Sequence, residues 1–356
     1  MTATTTYTFG LDTFGDRNGN GDGAPLSHAQ TIRNVVEEGV FAEEAGVDFF
    51  GIGEHHTEEF PMPAGDVALA AIAARTSRIR LGSAVTVLSS DDPVRVFQRY
   101  STLNAISDGR AEVILGRGSF TESFPLFGYE LSQYEELFED KLDLFAALLK
   151  NEPVTWQGKT RPPLTNQRVF PPIETGTLKT GTLKTWIGVG GSPQSVVRAA
   201  HYDLPLMLAI IGGDPRRFTP YVDLYHRAFT QYGRPAREIG VHSPGFVCDT
   251  DEMAREQLFP VYKIFRDRIG AERGWPPMGR NEFDQEIEHG SLYVGSPETV
   301  ARKIAATAKA LGIARFDLKY SAGTLAHDKL MRCIELYGSK VIPLVREMMA
   351  ELVPAD

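Results

Sequence analysis

Eight short apolar segments recur along this 356-residue chain, and stretches of helical periodicity separate them. The segments cover residues 7–11, 49–53, 79–87, 111–116, 185–189, 206–211, 240–248 and 316–320. Between them, apolar residues fall on one helical face: Ile32, Val35, Val36, Val40 and Phe41 in one stretch, and Leu330, Ile334, Tyr337, Val341, Leu344, Val345 and Met348 in the last. Strand and helix alternating in this way predict an α/β chain of the (β/α)8 TIM-barrel type rather than an open doubly wound sheet. An open sheet built for a dinucleotide would place GxGxxG after its first strand, and none stands there. Barrels of this length are single domains, so residues 1–356 are read as one. Two stretches break the alternation, 151–184 and 274–291, and both are expected to be insertions lying over the barrel as lids. The first contains an immediate repeat, GTLKT at 176–180 and again at 181–185, too short for a repeat architecture.

The formal net charge is -9 and no block of Lys or Arg occurs, which argues against nucleic acid or an anionic membrane as partner. The expected ligands are small molecules. The two cysteines, Cys248 and Cys333, form no CxxC pair and have no motif around them, so a reduced, cytoplasmic protein is expected, without a metal site. The first ten residues, MTATTTYTFG, lack the basic and apolar regions of a secretory signal. No apolar run approaches the ~20 residues of a spanning helix.

Side chains capable of chemistry gather where the apolar segments end, the position at which barrels build their sites. Glu54-His55-His56 follows the second segment, and alternation along a strand lets one histidine point into the mouth more readily than two. Two packed or solvated loop histidines would give the same sequence. Gly82, Ser83 and Ala84 interrupt an otherwise β-branched strand, which fits either a flat group against the backbone or a closely packed neighbour. Asp92 before Pro93 reads as an N-cap with Pro at the first helical position, as does Ser296 before Pro297. Gly116-Arg117-Gly118-Ser119 sets a guanidinium, suited to a phosphate, directly after a strand. Gly190-Gly191-Ser192-Pro193-Gln194-Ser195 opens a helix, so free N–H groups and two hydroxyls meet at its positive end. Each signal alone is ordinary; an arginine and a helix start after adjacent strands suggest one shared phosphate. Phe120, Phe124, Phe127 and Tyr129 are either pocket or core. The acidic run 16–22 copies the first half of a calcium loop but has Ser27 where the bidentate Glu belongs, and is read as a flexible loop.

Taken together, GEHH, GSAVTVLSSDDPVR, SDGRAEVILGRGS, WIGVGGSPQS and GSPETVARKIAATAKALGI resemble, in order and over nearly the whole chain, the bacterial luciferase-like flavin monooxygenase family. The resemblance implies a barrel, commonly dimeric, that holds reduced FMN at the C-terminal ends of the strands. It implies His55 as the active-site histidine and a non-proline cis peptide between Ala84 and Val85 against the flavin ring. It also implies a phosphate held by Arg117, Gly191, Ser192 and Ser195, with Gly118 and Gly190 among the cofactor-binding residues. The function implied is a flavoprotein monooxygenase using reduced FMN and O2 on a small organic substrate, with a separate NAD(P)H:flavin reductase, since no nicotinamide motif is present. The alternatives are an oxidoreductase using the deazaflavin F420 and a non-catalytic flavin-binding protein. Gly116 replaces the reactive cysteine of luciferase, so light emission is not inferred.

Overall fold

A computed structural model describes residues 7–20, 24–118, 120–174, 176 and 181–350. Ser119, residues 177–180 of the GTLKT repeat and residues 21–22 of the acidic loop lie outside the described residues.

The eight apolar segments become eight parallel strands: β1 (Thr8–Thr13), β2 (Phe49–Ile52), β3 (Arg80–Ser83), β4 (Ala111–Gly116), β5 (Lys184–Val189), β6 (Leu206–Ala209), β7 (Ile239–Val247) and β8 (Arg315–Lys319). Each pairs in parallel with the next, and β8 returns to β1 with Phe316 opposite Phe9, closing the barrel. Helices fill the connections, among them Pro93–Ile106, Tyr134–Leu148, Pro193–His201 and Pro297–Leu311. The expected caps are formed: Asp92 accepts from the N–H groups of Val94 and Arg95, and Ser296 from that of Thr299. No helix among the described residues is long and apolar enough to cross a membrane.

Period-two alternation divides each strand between two environments. Outward residues such as Phe9, Leu11, Val113 and Leu115 join the large core under the helices, while inward Ile114, Trp186 and Met207 form a separate small cluster inside the barrel. Below the mouth the lumen is charged. The Glu112 carboxylate accepts from Trp186 Nε1 at 3.0 Å and from Arg315 Nη1 at 2.5 Å, and Arg315 also grips Asp317. The Arg315 guanidinium lies 3.7 Å from the centroid of Phe49. Burial opposes the Glu112 charge, but Arg315, Arg80 and Lys184 outweigh it and bring this carboxyl down to about 2.

Of the two expected lids, only one borders the mouth. The 151–184 segment leads from a helix into β5, and such a connection emerges at the N-terminal end of the strands. It forms the hairpin Val154–Trp156 with Leu164–Gln167, is tied by Asn151 to Ile173, and rests Gly176 against Gly109, just before β4. None of its described residues borders the cavity at the other end. By contrast, the long helix Asp251–Arg273 and the segment after it, including Trp275, Pro276 and Met278, stand over the mouth.

Candidate active site

A cavity of about 1210 Å³ opens at the C-terminal ends of the strands. His55, Ala84, Val85, Arg117, Gly118, Gly190, Gly191 and Ser192 all line it. Ser195 does not; it sits one helical turn in, buried, its Oγ accepting from Arg198 Nη1 at 3.1 Å.

At the end of β2, the Glu54 N–H donates to Val85 O and the Glu54 carboxylate accepts from the Val87 N–H, fastening this turn to the β3 exit. His55 is buried among Phe14, Phe60 and Phe120, with ring centroids 4.8, 5.0 and 4.8 Å away. Its Nδ1 lies 3.0 Å from Glu122 Oε1. A carboxylate only accepts, so Nδ1 carries the proton toward Glu122, and it is Nε2 that can gain or lose one. Burial opposes the Glu122 charge, yet the hydrogen bond from His55 and backbone donors hold this carboxyl below its ordinary range. His56 is oriented differently: its Nε2 donates to Glu54 at 2.9 Å and its ring meets Phe127 edge-on. It stands in the partition between the main cavity and a smaller one of about 220 Å³.

The Ala84–Val85 peptide is cis. Ser83 Oγ bridges to the Ile114 carbonyl and N–H, and Gly82 lets the β4 backbone come close, so the small residues serve strand packing while Ala84 and Val85 present themselves to the cavity. Val85 fills the space beside Gly116: a Cβ at Gly116 would lie 2.6 Å from Val85 Cγ2.

Arg117 pairs with Glu135, and its guanidinium lies 5.2 Å from the Tyr134 ring centroid. Gly191 has φ +124, a region open to glycine, and its carbonyl accepts from Tyr221 Oη at 2.8 Å. Ser192 caps the helix Pro193–His201. A Cβ at Gly190 would meet nothing within 4 Å, so the backbone there is open to the cavity. A guanidinium, exposed backbone and a positive helix end are a donor set for a phosphate.

Sequence reading did not single out a second group in the wall. Asp12 and His242, inward residues of β1 and β7, meet with Nδ1 of His242 2.7 Å from Asp12 Oδ2. Lys319 joins the same wall, its Nζ on Asp16 and on the Ser321 carbonyl, so an ammonium occupies the first carboxylate of the calcium-like run. Glu122 also escaped notice. The available signal was a polar residue at an inward strand position, as in FGLDT and GVHSP. Of the four aromatics after β4, Phe120 lines the cavity, Phe124 stacks on Tyr134, Phe127 faces the smaller cavity and Tyr129 covers Lys141. Among the described residues no group of three His, Cys, Asp or Glu is placed to hold a metal.

Known proteins share this arrangement of chain. The family model for luciferase-like monooxygenase matches residues 13–315. The alkanal monooxygenase alpha chain of Photorhabdus luminescens is 24% identical over 358 residues, covering 90% of this chain and 94% of its own. In fold, the monooxygenase RslO1 from Streptomyces bottropensis superposes with a TM-score of 0.80 at 21% identity, over 94% of this chain and 99% of that one. The oxygenating constituent of 3,6-diketocamphane monooxygenase from Pseudomonas putida, solved in complex with FMN, gives 0.74 at 19% identity, over 95% and 98%.

Proposed function

This chain belongs to the luciferase-like monooxygenase family, and we propose that it is an oxygenase that binds reduced FMN from a separate reductase and inserts one atom of O2 into a small organic substrate. The observation that carries this reading is one cavity with a phosphate-type cradle at Arg117 and Gly190–Ser192, the Ala84–Val85 backbone in its wall, and the His55–Glu122 pair beyond.

The residues fit the cofactor. Arg117 would hold the phosphate together with the amides of Gly191 and Ser192, and Gly190 leaves room for it. When bound, reduced FMN supplies the electrons that activate O2. The remaining work falls to this chain. Phe14, Phe120, Phe265 and Trp275 exclude water from the chamber. Glu122 fixes the His55 ring through Nδ1–H, which would leave Nε2 to act as base, or as acid once protonated, toward groups bound in the cavity. The segment 274–291 acts as the lid of a single catalytic domain. Exposed Val67, Leu126, Leu131 and Phe127, the last at the rim of the smaller cavity, support a homodimer formed through this side of the barrel.

Absorbance titration of the purified protein with FMN, reduced FMN and F420 tests the cofactor; preference for F420 would overturn the reading. The His55→Gln variant should bind flavin normally yet lose about 10²–10⁴ in substrate oxygenation driven by chemically reduced FMN. Undiminished oxygenation would remove His55 from the chemistry.

A further inference from the structure

We propose that Asp12 and His242 form a second acid–base pair of this cavity, which takes the proton of a weakly acidic hydroxyl on an aromatic or enolic substrate. The inference rests on the oxygenase reading only for what happens to the substrate afterwards; the proton transfer itself needs nothing but this chain.

The geometry is that of a positioned base. His242 borders the cavity, and its Nδ1 is fixed 2.7 Å from Asp12 Oδ2, so the ring is held in the tautomer whose Nε2 is a lone pair. Nε2 has no hydrogen-bond partner among the described residues. Asp12 is fully buried, so its carboxylate acts on a ligand through the His242 ring rather than by direct contact. In its neutral form the ring presents Nε2 as an unfilled acceptor to the cavity, which calls for a ligand that brings a donor, and a hydroxyl is the simplest.

The charges around the ring fit the role. Burial pushes the imidazolium down, Asp12 more than offsets this, and Asp317 from β8 adds to it while Lys319 opposes, so the net shift is upward. The remaining flanking element, β6, offers only Ala209 opposite His242. Raised basicity is what a base needs to take a proton from a phenol or enol rather than only to solvate it. The surroundings are aromatic: Phe14 lies between the two histidines, 4.8 Å from His55 and 6.0 Å from His242 at 20°, and Tyr262, Phe265 and Trp275 close the chamber from above. A planar ring has faces to stack on there. Phe14 thus stands between His55–Glu122 and His242–Asp12, which leaves two acid–base pairs in one chamber.

The step is balanced. The substrate O–H bond breaks, a new N–H bond forms at Nε2, and the imidazolium is stabilised by Asp12 across Nδ1–H. Where His242 is already protonated, the hydroxyl proton leaves to solvent and the anion accepts from Nε2–H. Either route ends with an electron-rich oxyanion, and an ionised ring is far more readily oxygenated than its neutral acid.

The probe is p-nitrophenol, whose phenolate absorbs in the visible, added to the cofactor-free protein over a range of pH. The bound ligand is expected to ionise below its solution pKa, and p-nitroanisole, which has no proton to give, is expected to bind at least about tenfold more weakly. His242→Gln should abolish the bound phenolate band, and Asp12→Asn should weaken it. Binding without ionisation, equal binding of the anisole, no binding, or an unchanged band in His242→Gln would each overturn the proposal. The anisole comparison needs no variant, so it stands even if Asp12→Asn fails to fold. Flavin affinity is measured separately: a wild type that ionises nitrophenol but binds no flavin would sink the oxygenase reading and leave this pair intact.

Discussion

Replacing Arg117 by Ala tests the phosphate cradle, and the structure sets the size of the effect. A guanidinium on a phosphate makes charge-assisted hydrogen bonds worth about 1.5–3 kcal/mol. Arg117 is not free to begin with: it pairs with Glu135, whose side chain is 60% exposed. An exposed pair of that kind contributes roughly 0.2–1 kcal/mol, which the ligand must first displace. The net loss for Arg117→Ala is therefore about 0.5–2.8 kcal/mol, or roughly twofold to a hundredfold in Kd for FMN. Glu135 also sets a carboxylate beside the incoming phosphate, so Glu135→Gln should tighten FMN binding by a few-fold, a gain that a merely structural Arg117–Glu135 pair would not give. Quenching of flavin fluorescence reads both, with riboflavin as control because it lacks the phosphate. Equal loss of FMN and riboflavin in Arg117→Ala, or weaker FMN binding in Glu135→Gln, would refute the assignment.

Other expectations follow from the same contacts. Gly116→Cys brings a Cβ to 2.6 Å from Val85 Cγ2 and should cost about 1–3 kcal/mol from overpacking, seen as a lowered Tm that Val85→Ala in the same chain partly restores; an unchanged Tm would show that Val85 moves freely. Glu112→Gln leaves Arg315 short of a partner inside the lumen and should destabilise by about 3–5 kcal/mol in denaturant unfolding at neutral pH. Because the folded Glu112 titrates at about 2 against an ordinary 4.5, the unfolded chain takes up the proton first as pH falls. Its contribution is thus present above 4.5 and lost between there and 2, so the acid-side slope of stability should be shallower in Glu112→Gln, and identical slopes would contradict the pairing. Phe127→Glu with Leu131→Glu should give a monomer by light scattering if the exposed apolar group is the dimer face; a dimer that persists would place the interface elsewhere.

What the sequence determined is what depends on neighbours along the chain. Strand and helix periods, the N-caps at Asp92 and Ser296, and the glycine and arginine turns after β4 and β5 are all local, and the eight strands form where the apolar segments lie. The GEHH, GSAV, GRGS and GGSPQS strand ends are therefore legible in the sequence, and of the eight cofactor-binding residues that the family resemblance implies at the last three, seven border the cavity. Ser195 does not, because Arg198 draws its hydroxyl inward, a matter of which way one helical turn faces.

What only the closed barrel decided is which distant residues meet. Asp12 and His242 are 230 positions apart, Asp16 and Lys319 303, and His55 and Glu122 67, and no period links them. Ring closure through β8 and β1 sets the register that puts Asp12 beside Lys319 and His242 beside Asp317, and a slip of one residue would turn each inward side chain out to the helices. Closure also settled the fate of 151–184: its composition marks it as a loop, but only the sense of the strand it feeds sends it to the N-terminal end, away from the chemistry. Local physical chemistry writes the elements. The pairing of charges in a lumen that no single strand can fill is fixed by the geometry of eight strands joined edge to edge.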